Sequence, residues 1–131
     1  MKKITGDVNL NNLYLREIPS ILNDVSIEGI LNIADNRIKN LNNFPLECDS
    51  VDLSDNPLTS LVGIKQKYIR DLEASRTKIQ NLEGCPEIVS QLLIKNCASF
   101  KLGQKSLSVA IDHEGTIYAG HTTGHESIIW V

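Results

Sequence analysis

One phrase occurs twice in the chain: LNIADNRIKNL runs from Leu31 to Leu41, and VDLSDNPLTSL runs from Val51 to Leu61. The two segments align without a gap, and apolar residues occupy the same positions in both. Internal repetition at a spacing of about 20 residues is the sequence signature of a solenoid. The sequence therefore predicts a repeat architecture, which disfavours catalysis as the use of the chain.

The phrase belongs to a series of five copies. Each copy has an apolar residue at the second inward position of a predicted strand, and these residues are Leu10, Ile33, Leu53, Ala74 and Ile94. They are separated by 23, 20, 21 and 20 residues. Three positions after each of them come Leu13, Asn36, Asn56, Thr77 and Cys97. The repeats are therefore predicted to cover residues 5–102.

The unit apolar-x-apolar-x-x-(N/T/C)-x-apolar-x-x-apolar resembles that of the leucine-rich-repeat family, L-x-x-L-x-L-x-x-(N/C)-x-L. The connecting pieces LNNFP, LVGI and LEGCP are similar to those of short-repeat bacterial and bacteriophage members. The resemblance implies a right-handed solenoid with a curved parallel β-sheet, an irregular or 3₁₀ convex side and little helix. Leu13, Ala74 and Ser99 depart from the pattern, so the end repeats are the least regular.

Such a unit cannot bury its own apolar face, and stacked copies cover one another. Asn36 and Asn56 fall where each strand turns away, and a buried amide there can bond the loop backbone of two adjacent repeats. Thr77 can do part of this work, and Cys97 less. These four residues are predicted to form a structural ladder along the solenoid.

The rest of the chain is expected to close the repeats within a single domain, 1–131. Residues 103–131 break the rhythm, and alternation over 107–111 followed by turn residues and a second strand near 116–119 predicts a C-terminal β-hairpin cap. The segment 128–131 would complete that cap. After the first repeat, Ser20–Val25 leaves room for one helical turn.

Composition restricts the possible functions. The chain has 131 residues, 41% hydrophobic and 22% charged, with a net charge of −3. No stretch approaches a membrane span, and Ile4–Asp7 interrupts any signal peptide, so a cytoplasmic location is expected, in the host cytoplasm if a phage encodes the chain.

The three cysteines form no C-x-x-C motif, and their positions fit packing in the interior. His121 and His125 lie among glycines that disfavour a helical metal site. No catalytic residue, metal or other cofactor is predicted.

Residues that alternate with the inward leucines should point from the concave side of the sheet. We call this surface the outer sheet face. Its predicted binding residues are Ile30, Asn32, Asp35, Asp52, Asp55, Asp71, Glu73, Arg76, Leu93 and Lys95. Ser54 and Ser75 are expected to point outward in the same way. Carboxylates dominate the middle of this face, while Arg76 and Lys95 add positive charge near its C-terminal end.

Two interpretations of the carboxylates remain open. Exposed strand positions can be acidic for solubility alone, or clustered like charge can await a complementary protein with a basic surface. Direct binding to nucleic acid fits poorly because the face repels phosphate.

The sequence thus predicts a non-enzymatic protein-binding module. The resemblance to phage and bacterial members implies an inhibitor or redirector of a host protein, with a defence component as one candidate. The alternative is a scaffold or self-assembling module, for which a homo-oligomer is compatible but not indicated.

Overall fold

The structure is a computed structural model that describes residues 2–100, 109–111 and 117–119. Short strands dominate it. In chain order they are β1 (Lys2–Thr5), β2 (Val8–Asn9), β3 (Val25–Glu28), β4 (Ile30–Asn32), β5 (Ser50–Asp52), β6 (Tyr68–Glu73), β7 (Ile88–Leu93), β8 (Val109–Ile111) and β9 (Ile117–Ala119). A 3₁₀ turn at Ser20–Leu22 is the one helical segment among the described residues, and it falls within the stretch predicted to hold a helical turn.

The main sheet has the order β2-β4-β5-β6-β7-β9-β8. Its first five strands are parallel and successive along the chain, so the polypeptide makes about four turns between them. The prediction of a solenoid with a parallel sheet and little helix is confirmed at this level. Strands β1 and β3 form a separate parallel pair beside the first turn. None of the helical structure in the described ranges is long and apolar enough to cross a membrane.

The C-terminal strands close the last turn of the solenoid. β8 and β9 are antiparallel, with Val109 opposite Ala119 and Ile111 opposite Ile117. β9 also pairs antiparallel with β7, where Ile117 lies opposite Leu92. The hairpin predicted for this region is therefore present in its backbone. The predicted turn residues 112–115 and the predicted closing segment 128–131 lie outside the described residues.

The core is a stack of aliphatic columns beneath the sheet. Ile33, Leu53, Ala74 and Ile94 are 0–1% exposed, whereas Leu10 in the first turn is only partly buried. A second column follows each strand, and its buried members are Ile38, Leu58 and Ile79. Each turn of the chain buries these residues against the next, so the apolar letters of the repeat are accounted for by packing.

The predicted ladder positions are occupied by buried, hydrogen-bonded side chains. Asn56 Oδ1 accepts from the Ile38 N–H at 3.0 Å, and its Nδ2 donates to the Ile33 carbonyl of the preceding turn at 2.9 Å and to the Leu53 carbonyl at 3.1 Å. Asn36 makes the equivalent bonds one turn earlier. Thr77 Oγ1 donates to the Ala74 carbonyl, and Cys97 Sγ reaches the same oxygen at 3.2 Å.

Candidate binding surface

The middle of the outer sheet face is a grid of two rows across four strands. Parallel pairing sets the register of the first row, which is Ile30, Ser50, Asp71 and Gln91, and of the second, which is Asn32, Asp52, Glu73 and Leu93. These side chains surround a shallow depression of about 290 Å³ whose floor includes Val51 and Leu72. Within the first row, Ser50 is only 4% exposed and its Oγ donates to Asp71 Oδ2 at 3.3 Å, while Ile30 beside it is 40% exposed.

Six of the ten predicted binding residues line this depression: Ile30, Asn32, Asp52, Asp71, Glu73 and Leu93. The other four do not. Lys95 is exposed just beyond the end of β7. Asp35, Asp55 and Arg76 have φ angles of 57°, 59° and 54°, which place them in left-handed turns after the strands. Asp adopts left-handed backbone more readily than most residues. The backbone conformation alone therefore favours aspartate at positions 35 and 55.

Two of the five predicted carboxylates are paired with arginines. Arg76 donates to both oxygens of Asp55, from Nε at 2.7 Å and from a terminal nitrogen at 3.0 Å. This hydrogen bonding lowers the pKa of Asp55, helped by the charge of Arg76 and opposed by partial burial. Arg70 Nε donates to Asp71 Oδ2 at 3.0 Å. The negative charge of the surface is therefore smaller than its composition indicates.

Asp52 and Glu73 are the two half-buried carboxylates of this surface that form no direct ion pair among the described residues, whereas Asp35, which also lacks one, is exposed. They lie directly opposite each other on β5 and β6, and no ion pair within the described residues reaches either of them. Both are half-buried. Burial raises the pKa of Glu73, and the charge of Asp52 raises it further, while the charges of Arg76 and Lys95 and a hydrogen bond from Ser54 partly oppose the rise. The centre of the depression is thus a pair of carboxylates that repel each other.

Some side chains of the second row, and Asn9 at the same position of the first turn, also cap the turn that follows their strand. Asn9, Asn32 and Asp52 each accept, through Oδ1, the N–H two residues ahead, at 3.0–3.1 Å. Glu73 and Leu93 do not cap the equivalent amide in this way. Instead, Ser54 Oγ accepts the Ser75 N–H, and Ser75 Oγ accepts the Lys95 N–H, both at 3.1 Å. In the earlier turns, asparagine or aspartate caps the amide through its own Oδ1, which we call the aspartate-type cap. A serine of the preceding turn replaces it here.

The serines correct one expectation. Ser54 and Ser75 were predicted to point outward, but they are 2% and 0% exposed. Strand alternation applies only within a strand, and β5 and β6 end at Asp52 and Glu73. The chain has already begun to turn at the serines, which directs their hydroxyls into the turn. Small hydroxyl residues at the same point of two adjacent repeats were the available sequence signal.

A larger depression of about 490 Å³ lies near the starts of the strands, among Ser26, Glu47, Gln66, Tyr68 and Arg70. The Gln66 side chain bridges the backbone there, because Nε2 donates to the Cys48 carbonyl and Oε1 accepts the Cys48 N–H. Both signs of charge line this depression, and Glu47 and Arg70 are engaged by Ser26 and Asp71. It therefore selects no class of ligand.

Comparisons with protein-family models, with curated proteins and with solved structures return no match. Within the described ranges, no group of three or more His, Cys, Asp or Glu residues is arranged to hold a metal ion. Cys48, Cys85 and Cys97 are free thiols. Burial raises the pKa of Cys48 and of Cys85 to about 12, and the charges of Asp49 and Glu47 add to the effect at Cys48.

Proposed function

We propose that the chain is a binding module without catalytic activity, and that it holds a basic surface of another protein against its outer sheet face. The observation that carries this proposal is the Asp52–Glu73 pair, opposed in register and half-buried without a direct ion pair in the described residues. Two such carboxylates destabilise the free protein through repulsion, and an incoming positive charge relieves that cost. Ile30 and Leu93 offer apolar contacts beside them.

We further propose that the solenoid is of the leucine-rich-repeat type, and that the chain blocks or redirects a host protein by occupying its surface. The repeat pattern and its likeness to short-repeat phage and bacterial members support this part. Charge pairing with a basic partner fits it, because electrostatic complementarity speeds association and suppresses wrong partners. Occupying a surface in this way requires no reactive group.

Affinity capture from bacterial lysate tests the proposal when two variants with matched charge are compared. In the site variant, Asp52→Asn and Glu73→Gln remove the paired charges, and asparagine keeps the turn cap that Asn32 also makes. The control variant carries Glu17→Gln and Glu83→Gln, two exposed residues outside the grid. We expect the native and control chains to capture the same proteins, and the site variant to lose them. Retention of every partner by the site variant would refute the proposal.

Self-assembly is a second candidate because the first turn exposes apolar side chains. Leu13, Tyr14 and Ile21 are 53%, 70% and 69% exposed. Light scattering after size exclusion, over a range of concentrations, distinguishes the two functions. A stable homo-oligomer that is disrupted by Leu13→Ser and Tyr14→Ser would favour assembly through this end. A monomer at all concentrations would favour hetero-partner binding.

A further inference from the structure

The two apolar residues of the grid lie at its opposite corners. Ile30 is in the first row on β4, and Leu93 is in the second row on β7, three strands away. Neighbouring strands are about 4.8 Å apart, and a parallel strand rises about 3.3 Å per residue, so the Ile30–Leu93 diagonal is about 16 Å long. Asp52 and Glu73 lie between these corners, on the two intervening strands.

An α-helix reproduces this spacing. Residues about eleven apart on a helix are separated by about 16.5 Å and return to nearly the same face. Same-face residues about four and seven positions after the first would then lie about 6 and 10.5 Å along the axis, over β5 and β6. An extended segment needs about five residues to span 16 Å, and an odd spacing directs its two end side chains to opposite faces. The grid therefore fits a helix better than a strand.

Charge and exposure agree with this match. A basic residue over β5 or β6 would meet Asp52 or Glu73, neither of which forms a direct ion pair within residues 2–100. The charges of Arg76 and Lys95 act on Glu73, but its pKa remains raised overall. An apolar residue at each end of the helix would cover Ile30 or Leu93, and long basic side chains could enter the depression above Ser50. Buried apolar anchors with charged groups beside them are the arrangement that fixes position and register in helix-in-groove recognition.

We infer that the outer sheet face binds an amphipathic α-helix of its partner, with apolar residues on Ile30 and Leu93 and basic residues facing Asp52 and Glu73. The helix crosses the strands diagonally from β4 to β7. This inference rests on the proposed function, and adds to it the secondary structure, spacing and order of the recognised side chains.

Three synthetic peptides of identical charge test the inference by nuclear magnetic resonance titration of the isotopically labelled chain. The first is an alanine-based helix with leucines about eleven residues apart and arginines about four and seven residues after the first leucine. The second moves both arginines to the opposite side of the helix. The third keeps the first order of residues but carries a central proline, which breaks the helix.

The first peptide is expected to shift the amide resonances of β4 to β7. It should also bind at least about tenfold more tightly than the other two peptides, as loss of two charge contacts implies. Equal binding of the proline peptide at the same amides would overturn the helix while leaving the proposed surface intact. If the second peptide binds as tightly as the first, the proposed placement of the basic residues on the same side of the helix as the leucines is wrong. Failure of the first peptide to shift these amides would overturn the inference, and lysate capture would separately decide the proposed function.

Variants of the chain locate the anchors. Ile30→Ala and Leu93→Ala are each expected to weaken the first peptide about fivefold or more, since each removes an apolar contact at the interface. Val62→Ala is the matched control, because Val62 is 54% exposed in a return segment away from the grid. If Val62→Ala weakens the peptide as much as the corner variants do, the diagonal placement is wrong.

Discussion

Arg76 and Asp55 clamp two successive turns of the solenoid through a two-pronged ion pair, and both residues have left-handed backbone. The hydrogen bonds measure 2.7 and 3.0 Å, and the φ angles are 54° and 59°. Asp55 suits that conformation, but an arginine there costs about 1 kcal/mol or more. The pair lies at the surface, where such interactions contribute about 0–1 kcal/mol. Strain and pairing therefore nearly cancel at Arg76.

Replacing Arg76 tests this balance. Arg76→Asn removes the ion pair and supplies a residue that accepts left-handed backbone, as Asn96 does in the next turn. We expect the free energy of unfolding to change by less than about 0.5 kcal/mol. Asp55→Ala should cost about 1 kcal/mol or more, because it loses both the pair and the backbone preference. Urea unfolding followed by circular dichroism measures both, and a large loss for Arg76→Asn would show that the pair dominates.

The asparagine ladder should be the most sensitive part of the repeat. Asn56→Ala leaves the Ile38 N–H and the carbonyls of Ile33 and Leu53 without the bonds that the amide supplies. Several buried groups lose partners together, so we expect a loss of about 3 kcal/mol or more in the free energy of unfolding. Asn81→Ala is the control, because exposed Asn81 only accepts the Glu83 N–H. Equal losses in the two variants would exclude a special role for the ladder.

The serine caps allow a rescue experiment. Ser54→Ala orphans the buried Ser75 N–H, and the expected cost is about 1–3 kcal/mol. Adding Glu73→Asn should recover most of this loss, because it places a side-chain oxygen two residues before Ser75, as Asn32 does for Ala34. Thermal or urea unfolding of the single and double variants measures the coupling. Additive losses would show that the serine and the aspartate-type cap are not interchangeable.

The Glu73 carboxyl should make stability depend on pH in a defined direction. Its pKa is raised in the folded protein, first by burial and then by Asp52. The folded state therefore binds its proton more tightly than the unfolded state, and this residue favours folding less as pH rises through the elevated pKa. Glu73→Gln should stabilise the chain at neutral pH by less than about 1 kcal/mol, and the advantage should vanish in acid. An advantage that persists unchanged at about pH 4 would contradict this account.

The thiols should report unfolding. The pKa of Cys48 and that of Cys85 are both about 12, so thiolate is scarce at neutral pH, and Cys97 is 1% exposed. We expect alkylation to be slow in buffer and to reach all three cysteines in denaturant, with mass spectrometry counting the adducts. Rapid modification of Cys48 in the native chain would show that the segment before β5 opens locally.

Sequence reasoning predicted the parts of the structure that depend on side-chain hydrophobicity. The repeat of Ile33, Leu53 and Ile94 fixes which residues must be buried, and so it predicted the strands and their stacking. It did not predict backbone angles. Asp35 and Asp55 were predicted as binding residues of the outer sheet face, although aspartate beside a ladder asparagine also signals a left-handed turn. Pairing of Asp55 with Arg76 was likewise beyond reach, because it depends on the direction of two side chains in different turns.

The way in which each turn is capped determines which positions of the outer sheet face can vary. In the earlier turns the second-row residue of the outer sheet face also caps its own turn, which restricts its identity to asparagine or aspartate. Where Ser54 and Ser75 provide the acceptor, positions 73 and 93 are released from that restriction. Mutation can therefore alter charge, size or polarity there without unravelling the scaffold. A library randomised at those two sites would vary the outer sheet face while the repeat itself stays constant.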